Sequence, residues 1–325
     1  MRAVRCHDHS GPSGLRIDEL PEPVPGAGEV LVDVRAAGVN FPDVLLTYGK
    51  YQFKPNLPFS PGGEAAGVVT SVGAGVSSVA PGDRVAVSLL SGAFAERIVA
   101  PEMALMKLPD EVTFEVGAAT LLTYATTLYA LVDRAALQKD ETLLVLGAAG
   151  GVGTAAIELG KLLGARVIAA ASSDEKIAFC KEHGADEGIN YAREDLKERT
   201  KALTGGAGAN VICDPVGGAY SEQALRAIAW EGRYLVVGFA AGDIPKIPLN
   251  LVLLKSCQIV GVFWGAFAMR DPAKNRANAA RILRWVAEGK LRPHIDATLP
   301  FARAQEALER MARRDVKGKL VLTPH

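Results

Sequence analysis

Cysteine is scarce in this 325-residue chain, and its four copies, Cys6, Cys180, Cys213 and Cys257, lie far apart. No two of them stand in a C-x-x-C pair, so a thiolate zinc knuckle and a dithiol redox centre are both excluded. Cys180, in a predicted helix, and Cys213, at the end of a predicted strand, read as small buried hydrophobes. His7 and His9 flank Asp8, but no third ligand stands nearby; the group reads as loop where the first strand runs out. Neither sign of charge dominates: Lys plus Arg is 36 and Asp plus Glu is 36. That balance removes the electrostatic ground for nucleic acid or an anionic membrane as partner. Long apolar runs are missing too. The stretch from Gln258 to Met269 is too short to cross a bilayer, and the first residues hold no apolar signal core. Repeats and low-complexity segments are absent. The expectation is a cytoplasmic protein with no membrane or nucleic-acid partner.

Hydrophobic residues make up 49% of the chain, enough for a full core, and the length implies about two domains. Up to about residue 120 the sequence is rich in Val, Gly and Pro. Val30 to Val39 and Glu64 to Val72 read as glycine-broken strands, and Pro81-Gly82-Asp83 as a turn into a strand from Arg84 to Val87. From Ala118 the pattern changes. Leu121 to Val132 is helical, and strand and helix then alternate from Leu143 to Phe263, as in a parallel sheet covered on both faces. A long helix from Pro272 to Glu288, stopped by Gly289, a strand near Ala297 to Leu299, a helix from Ala302 to Arg313 and a strand from Lys319 to Leu322 follow. This tail does not extend the alternation and is expected to return to the first domain.

The apolar run Thr142 to Leu146 leads into Gly147-Ala148-Ala149-Gly150-Gly151-Val152-Gly153 and then an amphipathic stretch from Thr154 to Leu163. Strand, glycine turn and helix together form the setting for a dinucleotide pyrophosphate, which takes the free N–H groups and positive dipole end of the new helix. An NAD-preferring site carries an acid at the tip of the next strand. This chain has Ala171-Ser172-Ser173 there. Asp174 and Glu175 fit the first turn of a helix capped by Ser172 or Ser173. The missing acid, the hydroxyls and Lys176 favour NADP(H), although Lys176 also fits a solvated helix charge.

Ala37-Gly38-Val39-Asn40-Phe41-Pro42-Asp43, Pro61-Gly62-Gly63-Glu64-Ala65-Ala66-Gly67 and Ala148 to Gly153 resemble the medium-chain dehydrogenase/reductase superfamily, in its zinc-free quinone oxidoreductase (zeta-crystallin-like) branch. Ile189-Asn190-Tyr191 and Asp214-Pro215-Val216-Gly217-Gly218 add to the resemblance, which covers essentially the whole chain. It implies an α/β fold: a Rossmann-type doubly wound parallel sheet plus a GroES-like β-rich domain. The expected divisions are residues 1–122 for substrate, residues 123–264 for NADP, and residues 265–325 returning to the substrate domain. Zinc alcohol dehydrogenases of the superfamily place a Cys where this chain has Asn40, a His where it has Gly63 and a third ligand near Leu122. None of these three residues binds zinc. Glu64 remains, as a structural carboxylate.

The resemblance also implies the contacts. Asn40 and Thr126 lie near the nicotinamide; Gly150, Gly151, Val152 and Gly153 hold the pyrophosphate; Ser172, Lys176 and Tyr191 grip the 2′-phosphate of NADPH. Gly238, Phe239, Phe263 and Trp264 pass the nicotinamide end, and Lys319 is a basic position near the cofactor or a surface lysine at a strand start. Tyr51 stands at the mouth of the substrate cleft. Without a Lewis acid the site favours acceptors that already take a hydride, quinones and α,β-unsaturated carbonyl compounds. Asn40, Tyr51 and Tyr48 are the candidate donors to the anion formed, water supplies the proton, and no single catalytic acid is assigned. Three readings follow: an NADPH-dependent quinone reductase; an enoyl (2-alkenal or enoyl-CoA) reductase, for which Lys50 and Lys54 are the only support; and a dinucleotide-binding structural or regulatory protein with little turnover. The strand from Gln258 to Phe263 has an apolar free edge, and in the resembling family such strands pair across a two-fold axis, so a homodimer is expected.

Overall fold

A computed structural model describes residues 1–325. The chain forms two compact units, Met1–Leu122 with Ala279–His325, and Thr123–Asn278.

The first unit is built on a sheet in the order Ile295–Pro300, Lys319–Thr323, Glu29–Val39, Glu64–Val72, Arg84–Ser88, Leu105–Lys107, with Arg97–Pro101 also pairing with Glu29–Val39. Val30, Val32 and Val34 alternate inward along Glu29–Val39. A register shift between Val34 and Ala36 ends the alternation, and Ala36 to Val39 are buried without a break. Arg2–Cys6 and Leu15–Glu19 form a separate antiparallel pair. Phe41–Thr47 is a short helix absent from the sequence-based expectation, with Asn40 as its N-cap and Pro42 in its first turn. Register decides what meets what at the end of these strands. Leu320 lies opposite Val39, and Gly38 lies opposite Glu64. Lys319, Asn40 and Glu64 are therefore delivered to one place, and a slip of one residue would scatter them.

The second unit is a six-stranded parallel sheet in the order Glu187–Asn190, Arg166–Ala171, Thr142–Leu146, Ala209–Asp214, Ile228–Val236, Gln258–Gly261. Numbered by sequence this is 3-2-1-4-5-6, the doubly wound dinucleotide-binding order, whose switch point lies between Thr142–Leu146 and Ala209–Asp214. Leu143 to Leu146 are fully buried, as strands covered on both faces must be. The helix Leu121–Leu128 continues as a π-helical stretch over Tyr129–Arg134, and the strand expected from Arg233 starts earlier, at Ile228.

The second unit also runs past the division expected at residue 264. Trp264 Nε1 donates to Asn275 Oδ1 at 2.9 Å, and Phe267 stacks on Tyr129 with ring centroids 4.2 Å apart. Asn278 and Lys274 both reach Asp133. These contacts bind the helix Trp264–Arg270, itself unexpected, and the start of Pro272–Ala287 to the parallel-sheet unit. The far end of Pro272–Ala287 sends Ala279 and Leu283 into the first unit's core, beside Ala36, Ala66 and Val321.

Candidate active site

In the first unit three buried polar side chains form one network. Lys319 Nζ donates to Glu64 Oε1 at 2.6 Å, Asn40 Oδ1 at 2.5 Å and the Val39 carbonyl at 3.0 Å. An ammonium has three donors, so all of them are used inside the unit. Lys319 is only 3% exposed. It is therefore not the surface lysine at a strand start that the sequence allowed, and that alternative is corrected. Because Lys319 only donates and Glu64 only accepts, the Asn40 amide has one possible orientation. Its Nδ2 donates to Glu64 Oε1 at 2.9 Å and to the Gly38 carbonyl at 3.3 Å. Both amide protons are taken, so Asn40 is corrected as a donor to an anionic substrate.

Glu64 also accepts from the Leu122 N–H through Oε2, at 2.9 Å. A β-carbon at Gly38 would lie 2.7 Å from Glu64 Oε1 and 2.0 Å from the Ala118 carbonyl, so the carboxylate approaches bare backbone there. A β-carbon at Gly63 would lie 3.3 Å from Leu122 Cδ1. Asn40, Gly63 and Leu122, the positions compared with a metal triad, are thus neighbours through Glu64 and supply an amide, a hydrogen and an isobutyl group.

Asp43, one turn into the helix, accepts from the Asn40 N–H at 2.8 Å and the Gly62 N–H at 3.0 Å. Burial pushes its carboxyl up to about 7, against the pull of those N–H groups and of Lys319. Asp43 holds the helix start and the Gly62 turn together, a role the sequence did not assign; the Asn40-x-x-Asp43 spacing with Pro42 between is the helix-start signal that reveals it. Tyr51 packs on Cys6, Leu46 and Phe59. Burial, and then the Asp43 charge, raise its phenol pKa, so it stays a donor. Tyr48 is 40% exposed.

In the second unit the helix Gly151–Leu162 starts at Gly150 with no side-chain cap, leaving its first N–H groups to an external anion. A β-carbon at Gly153 would fall 2.5 Å from the Gly147 carbonyl, so the helix can close on the turn only with glycine there. Thr127, beside half-buried Thr126, donates to the Val152 carbonyl at 3.4 Å. These features suit a pyrophosphate on Gly150, Gly151, Val152 and Gly153. At the next strand end the cap is Ser173, whose Oγ accepts from the Lys176 N–H at 3.2 Å; Ser172 stays outside the cap and exposed. The Tyr191 N–H donates to the Ala171 carbonyl at 3.1 Å, and its ring lies against Tyr220 at 4.2 Å. Ser172, Lys176 and Tyr191 thus belong to one strand-end region.

Asp214, which the sequence showed within a motif but gave no role, ends the strand across the switch point. Its Oδ1 accepts from the Val216 and Gly217 N–H groups at 2.7 and 2.8 Å. Its Oδ2 accepts from Ser221 Oγ at 2.8 Å and from the Tyr234 hydroxyl. Val216 is thereby held where its Cγ2 would lie 2.6 Å from a β-carbon on Gly147. The Gly238 N–H donates to the Asp214 carbonyl, and a β-carbon on Gly217 would meet the Phe239 ring at 2.8 Å, so that segment is set by the same residue. Phe263 is 60% exposed, and Trp264 is held by Asn275.

A doubly wound sheet with an uncapped glycine turn at its switch point, joined in sequence to a β-rich unit, defines a dinucleotide-dependent oxidoreductase of the medium-chain dehydrogenase/reductase class. The alcohol dehydrogenase GroES-like domain matches residues 26–110, and the zinc-binding dehydrogenase family matches residues 151–283. The quinone oxidoreductase-like protein 2 homolog of Nematostella vectensis is 41% identical over 99% of this chain and 88% of its own length. The quinone oxidoreductase of Homo sapiens is 31% identical, over 99% of this chain and 97% of its own. The crystal structure of Escherichia coli quinone oxidoreductase complexed with NADPH superposes with a TM-score of 0.93 at 30% identity, covering 100% of both chains. The chain belongs to the quinone oxidoreductase branch of the medium-chain dehydrogenase/reductase superfamily.

Proposed function

We propose that this oxidoreductase transfers a hydride from NADPH to a quinone without zinc. The observation that carries the reading is the buried Lys319–Asn40–Glu64 cluster. Where a catalytic metal needs three N, S or O ligands, Asn40, Gly63 and Leu122 offer none of the usual ones, and an internal ammonium compensates the Glu64 carboxylate. A site so built polarises no alcohol or simple ketone, and a quinone does not need it to. NADPH, when bound, supplies the hydride.

The chain's own residues bind and orient. Gly150 to Gly153 hold the pyrophosphate, and Ser172, Lys176 and Tyr191 hold the 2′-phosphate; Thr126, Gly238, Phe239, Phe263 and Trp264 serve the nicotinamide end. Tyr51 and Tyr48 present phenol donors to the oxygen that gains charge, while Asn40, with its protons committed, holds the cluster in place. Solvent returns the proton. NADPH oxidation with 1,4-benzoquinone or 9,10-phenanthrenequinone tests the reaction. Turnover with an enoyl thioester and with neither quinone would replace it with enoyl reduction, and tight NADPH binding with no acceptor at all would make the protein a binding module.

Lys176→Ala with Tyr191→Ala should raise the KM for NADPH about tenfold or more, the scale of lost charge-assisted hydrogen bonds, and leave that for NADH nearly unchanged. Equal effects on both cofactors would remove the 2′-phosphate assignment. Activity should survive EDTA, and the purified protein should carry no stoichiometric zinc.

The homodimer belongs to the same reading. Gln258–Gly261 is an outer strand, and beside it in sequence Leu249, Leu253 and Leu254 are 76%, 78% and 66% exposed. An open edge with apolar neighbours favours a second copy of the chain as its cover.

A further inference from the structure

Two glycines interlock the N-terminal loop with the loop after Phe41–Thr47. Gly11, at φ 88°, lies under Tyr48: a β-carbon there would fall 2.3 Å from the ring's Cε1, 2.4 Å from Cζ and 2.7 Å from the hydroxyl oxygen. Those distances are far inside van der Waals contact, so the ring rests on bare backbone. The Gly11 N–H donates to the Thr47 carbonyl at 3.3 Å, fixing the two segments side by side. The arrangement is reciprocal, because Gly49, at φ 63°, carries the His9 ring, whose Cγ would stand 3.1 Å from a β-carbon. Tyr48 also caps the C-terminus of the helix Phe41–Thr47, and the Lys50 ammonium stands 5.5 Å from its ring centroid. The ring is thus seated from below, tethered to a rigid element and still partly open to solvent.

We infer that Gly11 is a specificity-determining position: by having no side chain it sets how low the Tyr48 ring sits, and so how large a flat acceptor that ring admits. This inference rests on the reading that Tyr48 and Tyr51 receive the acceptor. Any residue with a β-carbon at position 11 pushes the ring off this backbone seat; on that reading the displaced ring takes room from a tricyclic acceptor more than from a monocyclic one.

The measurement is the ratio of KM for 9,10-phenanthrenequinone to KM for 1,4-benzoquinone. Gly11→Ala should raise that ratio by about fivefold or more, within the range that one misplaced apolar contact discriminates, with the KM for NADPH unchanged. In a Tyr48→Ala background the same substitution should leave the ratio alone. An unchanged ratio in Gly11→Ala, or an equal change in both backgrounds, overturns the proposal, the latter because it reports backbone strain at a positive φ rather than ring displacement. Should Gly11→Ala not fold, Tyr48→Ala alone decides, since it must change the ratio. The interlock has a readout free of turnover: Gly11→Ala should lower Tm more with Tyr48 present than in Tyr48→Ala, and additive losses would refute the contact. A wild-type enzyme that reduces neither quinone counts against the quinone reading alone; crotonaldehyde and 2-nonenal then form the acceptor pair, with the same outcomes required.

Discussion

Lys319 concentrates the physics of the first unit in one side chain. A buried ammonium with three oxygen partners balances a fully buried carboxylate. Lys319→Met should leave Glu64 with no cation and cost roughly 3–5 kcal/mol of stability in a urea titration, the range for breaking one half of a buried pair. Adding Glu64→Gln should recover part of that loss; strictly additive losses would mean the two charges are not coupled. Asp43 yields a pH prediction. Its carboxyl is raised from 3.8 to about 7 by burial, so between those values the folded chain keeps a proton that the unfolded chain has released. The stabilising contribution is complete below about pH 4 and is lost as pH rises through about 7. Asp43→Asn should flatten that part of the stability–pH curve. At this scale the sequence was half legible. Asn40 and Glu64 could be picked out from their motifs, but Lys319 reaches them across separations of 279 and 255 residues, a proximity that only strand register creates.

Among the elements, the strongly periodic ones were readable and the short ones were not. Glu187–Asn190 and the glycine-turn helix follow directly from apolar pattern and turn residues. The helix Phe41–Thr47 is too short for a periodic signal, although Asn40, Pro42 and Asp43 mark its start. The loop from Pro215 to Gly218 shows how an element can be set by one side chain. Asp214 takes four donors, two of them loop N–H groups. Asp214→Asn replaces one acceptor oxygen with a donor group, so part of that set must be lost. With Val216 seated against Gly147, the expected effect is on the dinucleotide turn: a KM for NADPH raised about tenfold, with kcat within about twofold of wild type. Steady-state kinetics that found kcat reduced and KM unchanged would refute this.

For the molecule as a whole, composition and alternation indicated two units, and the place where the chain leaves the parallel sheet was the hard part. Side-chain contacts of Trp264, Phe267, Lys274 and Asn278 draw that boundary, and residue pattern does not encode them. The outer strand gives a prediction at this scale. Ile259, 41% exposed on it, when replaced by Lys should turn a dimer into a monomer in sedimentation velocity; a wild-type protein that already sediments as a monomer would refute the pairing.

The first unit's discontinuity also governs how the chain is made. The ribosome produces Asp43 and Glu64 early, then the entire parallel-sheet unit, and only afterwards the strand bearing their counter-charge. At about 5–20 residues per second, a gap of 255 residues lasts on the order of 13–50 s. During that interval the nascent N-terminal segment holds two carboxylates with no ammonium to bury beside them, and one edge of Glu29–Val39 awaits Lys319–Thr323. The parallel-sheet unit is contiguous and leaves the ribosome whole before the first unit has its last strands, so the sheet of the first unit can be completed only after the second unit has been synthesised.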